Sequence, residues 1–199
     1  MSNSGPMSEY QRRLDSGELR ADPAQYEAMV HLQRLFDDLL TAPVKTGFLS
    51  KMFGSPSVNS SSNKIKGLYF WGGVGRGKTF LMDVFYDTLP FEQKQRMHFH
   101  RFMRYVHKEL HELQGESDPL KKIASRFAAQ TKVLCFDEFF VSDIADAMIL
   151  AGLLDALFRL GIVLVATSNV EPKRLYAVSY THLRAHETPE HLVCRLLLE

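Results

Sequence analysis

One short segment restricts the possible folds of this chain more than any other. Gly72-Gly-Val-Gly-Arg-Gly77-Lys78-Thr79 satisfies the pattern G-x-x-x-x-G-K-[ST], and it stands between the apolar run Leu68-Tyr-Phe-Trp71 and a helical pattern over Lys78 to Leu89. Strand, glycine-rich turn and helix, in that order, are what a phosphate-binding loop requires. The glycines let the backbone curl with its N–H groups facing phosphate oxygens, and the helix N-terminus adds roughly half a positive charge beneath them. Gly72, Gly73, Val74, Gly75, Arg76 and Gly77 are therefore the candidate cradle. Lys78 is placed to reach the β- and γ-phosphates, and Thr79 offers a hydroxyl to Mg²⁺, a hard cation that prefers oxygen ligands.

The rest of the chain reads as an alternation of strands and helices. Asp22 and Pro23 look like the N-cap and first residue of a helix, with Tyr26, Met29, Val30, Leu32, Leu35, Phe36, Leu39 and Leu40 at helical spacing. Residues 54–63 are turn formers with little to bury, so a flexible loop is expected there. Arg96 to His100 reads as a second strand, Phe102 to Gln114 as a helix ended by Gly115, and Asp118-Pro119 as the start of another helix with Leu120, Ile123 and Phe127 on one face. Val133 to Phe136 is a third strand. Asp143 is expected to cap a helix that turns Ile144, Met148, Ala151, Leu154 and Phe158 inward and stops at Gly161, before a fourth strand over Ile162 to Ala166. Strands apolar on both faces imply a parallel sheet covered by helices on both sides, hence an α/β fold. The expected division is a helical extension over 1–53, a loop over 54–66, a partial core of strands 1 to 4 over 67–176, and a tail over 177–199.

Two further motifs fall at strand ends, where open α/β sheets bind ligands. Val133-Leu-Cys-Phe-Asp137-Glu138 supplies four apolar residues and then two carboxylates, a Walker B pattern. Asp137 is suited to hold Mg²⁺ directly or through a water, and Glu138 to polarise the water that attacks a γ-phosphate. After the fourth strand, Thr167-Ser-Asn169 brings an amide to the same edge, where it can orient that water. The expected cofactors are thus ATP and Mg²⁺. The guanine-reading pattern Asn-Lys-x-Asp is missing, since Asn63-Lys-Ile-Lys66 fails at its last position and precedes the loop, and this disfavours GTP.

Composition excludes several other classes. Lys and Arg number 24 against 23 Asp and Glu, so no global field points to nucleic acid or an anionic membrane. Cys135 and Cys194 are the only cysteines, and Cys135 sits in an apolar run, which suits a small buried thiol in a reducing cytosol. No stretch approaches the ~18 consecutive apolar residues of a membrane span, and the first residues lack the apolar core of a signal peptide. His98 and His100 would alternate on a strand while His107 and His111 share a helix face, an arrangement that does not converge on a metal. Arg101, Arg104 and Lys108, with Phe102 and Tyr105 between them, suit either a polymer-facing helix or an ordinary solvated basic face.

With these motifs in hand, residues 8–176 resemble the AFG1-like AAA+ ATPases, particularly their bacterial cell-division members. The likeness rests on Tyr10-Gln-Arg-Arg, Gly67 through Thr79, Met97-His-Phe-His-Arg-Phe-Met103, Leu134-Cys-Phe-Asp-Glu-Phe139 and Thr167-Ser-Asn-Val-Glu-Pro172. It implies ATP hydrolysis coupled to work on a protein partner, which for the cell-division members is the division polymer FtsZ, at the cytoplasmic face of the constriction site, and otherwise another protein substrate. It also implies a homo-oligomer in the full-length protein, Walker A over Gly72 to Thr79, Walker B at Asp137 and Glu138, and Asn169 as sensor 1. An AAA+ nucleic-acid loader of the DnaC or DnaA type shares the same three motifs and is the alternative. From about Ala177 the sequence departs from the family, which would continue with a Gly-Leu-Gln-Arg segment and a fifth strand. The tail to Glu199 looks like a peptide read through from library adapter, and His182, His186, His191 and Cys194 lack paired zinc-ligand spacing. If the family strand order 5-1-4-3-2 applies, loss of strand 5 leaves the phosphate-loop strand at an open edge and the chain poorly soluble. Loss of the Gln-Arg arginine candidate would leave binding intact and turnover impaired, because such arginines are worth ~10³ to 10⁵ in rate.

Overall fold

Val133-Leu-Cys-Phe and Val163-Leu-Val-Ala have no polar face, so strands built from them must be covered on both sides. The computed structural model describes residues 5–41 and 65–175 and the backbone of 192–198, and it meets that demand with a parallel sheet between two helical layers. The strands β1 (Gly67–Gly72), β2 (Lys94–His98), β3 (Val133–Asp137), β4 (Val163–Ser168) and β5 (Leu192–Leu198) lie in the order β2-β3-β4-β1-β5. Every neighbouring pair is parallel.

Side-chain alternation along the strands divides the interior into two cores. Leu68, Phe70, Val133, Cys135, Val163 and Val165 face a layer made by α1 (Pro6–Asp15), α2 (Pro23–Thr41) and α3 (Lys78–Thr88). Tyr69, Leu134, Phe136, Leu164 and Ala166 face α4 (Phe99–Glu112), α5 (Pro119–Ala128) and α6 (Ile144–Arg159). A short α7 (Pro172–Leu175) follows β4. Among the described residues no helix is long and apolar enough to cross a membrane. Burial pushes the Cys135 thiol up to about 12.

The two expected caps form. Asp22 Oδ1 accepts from the Ala24 and Gln25 amides at 2.8 and 3.3 Å, and Asp143 Oδ1 accepts from Ala145 and Asp146 at 2.7 and 3.1 Å. Several details differ from the sequence reading. The polar start contains α1, nucleated by Pro6 and held by Glu9, which accepts from Arg12 and Arg13 at 2.8 Å. Those hydrogen bonds bring the Glu9 carboxyl down to about 2. On α2 the buried stripe is Ala28, Met29, Leu32, Leu35, Phe36 and Leu39, leaving Tyr26, Val30 and Leu40 exposed. On α6 the inward residues are Ala147, Leu150, Leu153, Leu154 and Leu157, whereas Ile144 and Met148 face out. That helix is apolar almost all round, so spacing alone admits more than one stripe. Strand β2 ends at His98, and His100 belongs to α4.

The expected open edge is corrected by the topology. β5, drawn from the tail that the sequence reading set apart from the core, pairs with β1 and places the phosphate-loop strand inside a five-stranded sheet. The physical reason is that β1 offers unpaired N–H and C=O groups on that side, and Leu-Val-Cys-Arg-Leu-Leu-Leu is an apolar run able to extend against them. The loop expected over 54–66 falls, except for its last two residues, outside the described residues, as do His182, His186 and His191.

Gly67 shows how tightly β1 is set against β4. A Cβ there would stand 2.1 Å from the Leu164 carbonyl oxygen. Gly67→Ala is expected to lower stability by about 3 kcal/mol, because backbone rather than a mobile side chain must give way. Urea unfolding checks this, with Gly73→Ala as the comparison, since a Cβ at Gly73 meets nothing within 4 Å.

Candidate active site

Parallel strands point their C-terminal ends the same way, and three of them deliver the candidate residues to one edge. β1 runs into the glycine loop and Lys78, β3 closes on Asp137 and Glu138, and β4, which lies between them, leads into Asn169. The structure therefore brings Lys78 and Asp137 to the same end of the sheet.

The loop has the shape its composition implies. Gly75 (φ 82°) and Gly77 (φ 80°) occupy the left-handed region, where a side chain would be strained, and Gly77 is the N-cap of α3. A Cβ added at Gly73 or Gly75 would meet nothing within 4 Å, so the loop is uncrowded at both positions. Lys78 is only 8% exposed, and its Nζ donates to the Gly72 and Gly73 carbonyls at 2.9 and 2.7 Å. Burial lowers its pKa, and the charge on Arg76 adds to that. The ammonium is thus parked on the loop it would leave to meet a phosphate. Thr79 is exposed in the first turn of α3.

Across β4 from the glycine loop, Asp137 is buried and gripped by Arg96 of β2. Arg96 Nε donates to Oδ2 at 2.7 Å and Nη2 to Oδ1 at 3.2 Å, while Nη1 pairs with Asp83 on α3. Burial opposes the charge on Arg96, but the hydrogen bonds to Asp137 and Asp83 outweigh it and hold its pKa above the ordinary arginine value. Glu138 is exposed and adopts φ 54°, a left-handed conformation rare outside glycine. His98 Nδ1 lies 3.7 Å from its Oε2.

Asn169 is exposed just beyond β4, and the backbone around it is fixed. Ser168 Oγ donates to the Phe139 carbonyl at 2.6 Å and accepts from the Val170 amide at 3.0 Å, Phe139 N donates to the Thr167 carbonyl at 2.7 Å, and Tyr69 Oη donates to the Val170 carbonyl at 2.8 Å. The ends of β1, β3 and β4 are thereby tied together.

Two residues that the sequence reading passed over belong to this site. In sequence Arg96 is simply the first residue of the expected strand, and its role appears only where β2 pairs with β3 and sets it against Asp137. Gln25 of α2 donates from Nε2 to the Arg76 carbonyl at 3.3 Å, and a Cβ on Gly77 would stand 2.7 Å from that nitrogen. No local pattern links residues 51 positions apart. The remaining expectations concern α4. His107 Nε2 lies 2.6 Å from Asp146 Oδ1, and the His98 and His100 rings stack at 5.7 Å. Arg101, Arg104 and Lys108 are exposed, but Phe102 is in the core and Tyr105 leans on Phe127, so the aromatic members of that stretch serve packing.

The residues present fit a metal-bound nucleotide. The glycine loop runs into the N-terminus of α3 with a cation beside it, and Thr79 and Asp137 are the oxygen donors a hard divalent ion takes.

Comparisons with known proteins point the same way. A family model described as AFG1-like ATPase matches residues 4–185, which extends the likeness past the Ala177 boundary read from sequence. The cell division protein ZapE of Escherichia coli strain K12 is 52% identical over 178 residues, covering 86% of this chain and 47% of that protein. The lactation elevated protein 1 homolog B of Danio rerio is 35% identical over 216 residues, covering 85% of this chain and 43% of the relative. The chain thus spans less than half the length of these relatives. Among solved structures, DnaI superposes with a TM-score of 0.53 at 16% identity, covering 81% of this chain and 74% of that one. AMPPCP-bound DnaA from Aquifex aeolicus also gives 0.53, at 12% identity, covering 88% of this chain and 44% of that one. At such identities these two show the shared fold alone.

Proposed function

Because this chain belongs to the AFG1-like ATPase family, we propose that it is the nucleotide-binding part of an ATP-hydrolysing protein that acts in bacterial cell division by destabilising FtsZ polymers. The observation that carries the ATPase reading is the convergence of Lys78, Asp137 and Asn169 at one edge of the sheet. The cell-division reading is supported by the name of the 52% identical relative, and FtsZ by the family resemblance.

Gly73 to Gly77 wrap the phosphates with backbone N–H groups, and the α3 N-terminus lies beneath them. Lys78 exchanges its loop carbonyls for phosphate oxygens. Thr79 and Asp137 would hold Mg²⁺, which would supply charge neutralisation at the transferring phosphoryl group. Glu138, held out from β3 by its left-handed backbone, accepts the proton of the attacking water, and Asn169 orients that water.

Calorimetry on this chain tests the site. MgATP is expected to bind with micromolar-class affinity, and Asp137→Asn to weaken MgATP at least about tenfold while leaving metal-free ATP nearly unchanged. Equal loss for both would remove Asp137 from the metal. FtsZ sedimentation with the full-length protein tests the partner: fewer polymers should pellet when ATP is present, and an ATP-independent pellet would remove FtsZ from the proposal.

A further inference from the structure

Thr79 and Asp83 stand four residues apart on α3, so their side chains leave the same face of that helix. Asp137, at the end of β3, is linked to Asp83 by a single group, the Arg96 guanidinium. Both Asp137 oxygens are engaged by Arg96, which is itself about one-fifth exposed. Two carboxylates around a hydroxyl would attract a divalent cation unaided. One guanidinium removes half of that negative charge and occupies the oxygens a cation would use.

We propose that Arg96 is the built-in counter-ion of the metal site, neutralising the Asp83 and Asp137 carboxylates so that a divalent cation binds together with nucleotide and not ahead of it. A bare cation arriving at Asp137 must displace a charge-assisted hydrogen bond and remain beside a fixed positive charge. A triphosphate reverses that balance, because its own oxygens supply the missing ligands and negative charge. The longer of the two bonds, Nη2 to Oδ1 at 3.2 Å, is the one to yield, while Nε at 2.7 Å keeps the carboxylate aimed. Arginine suits this position and lysine does not, since three N–H groups in a rigid fork are needed to hold Asp137 at two points and Asp83 at a third. Arg96 is thus a positioning residue, acting through Asp137. The inference rests on the reading of Asp137 as a metal carboxylate.

Mn²⁺ is the probe, followed by the electron paramagnetic resonance of the free ion in nucleotide-free protein. Arg96→Gln is expected to bind Mn²⁺ at least about tenfold more tightly than wild type. Arg96→Lys, which keeps the charge and loses the fork, is expected to fall between them. Variants with native circular dichroism that bind Mn²⁺ no better than wild type overturn the proposal, as does a wild-type protein that already binds it as tightly as the variants. Should Arg96→Gln fail to fold, the Arg96→Lys comparison decides. Wild-type ATP affinity with Mg²⁺ and with EDTA separates the two readings. If the metal makes no difference there, the metal role of Asp137 falls; if it does and the Mn²⁺ difference is missing, only the counter-ion role of Arg96 falls.

Discussion

Lys78→Ala is expected to weaken MgATP binding by roughly a hundredfold or more, because a buried ammonium making two charge-assisted hydrogen bonds to phosphate contributes about 3 kcal/mol or more. The folded structure should barely register the change. In the free chain Lys78 Nζ serves two loop carbonyls, Gly72 O and Gly73 O, and Gly73 is exposed to water. Calorimetry and thermal unfolding therefore diverge for this variant: affinity is lost while the unfolding midpoint stays within about 2 °C of wild type. A Lys78→Ala protein that binds MgATP normally would mean that the glycine loop does not cradle phosphate.

Glu138→Gln separates binding from chemistry. In the full-length protein it is expected to slow ATP hydrolysis by about 10² to 10⁴ while changing MgATP affinity less than about threefold, since only proton acceptance is removed. The backbone argues for this split. Asp137 is buried in an ion pair, whereas Glu138, the next residue, is turned out by its positive φ and held at its amide by Thr167 Oγ1 at 3.4 Å. Adjacent carboxylates thus occupy different environments, one suited to a metal and the other to water. Steady-state turnover and nucleotide retention together check the expectation; normal hydrolysis by Glu138→Gln would move the general base elsewhere.

The parts of this molecule that were legible in its sequence are those written in contiguous residues. The glycine loop, the acidic end of β3, the strand and helix alternation and the caps at Asp22 and Asp143 each occupy a few neighbouring positions, so local stereochemistry specifies them. What escaped notice depends on pairs far apart in the chain. Arg96 meets Asp137 from 41 positions away, and Gln25 meets Arg76 from 51. The orientation of α6 was missed for another reason: with Ile144, Ala147, Met148 and Leu150 all apolar, only the facing helix α5 and the sheet decide which side turns in. The partner of β1 on its outer edge was missed because an apolar seven-residue run carries no address; pairing is assigned by whichever edge lacks hydrogen bonds.

The contact between Gln25 and Arg76 joins the glycine loop to the N-terminal helices. Gln25 belongs to the first turn of α2, a helix whose buried face shares one core with Tyr10 of α1. The Gln25 Nε2 donates to the Arg76 carbonyl at 3.3 Å and lies where a side chain at position 77 would begin, 2.7 Å from the place a Cβ would take. A segment far outside the phosphate-loop motif thus helps to shape that loop, and a change at Gln25 is also a change to the backbone at Arg76.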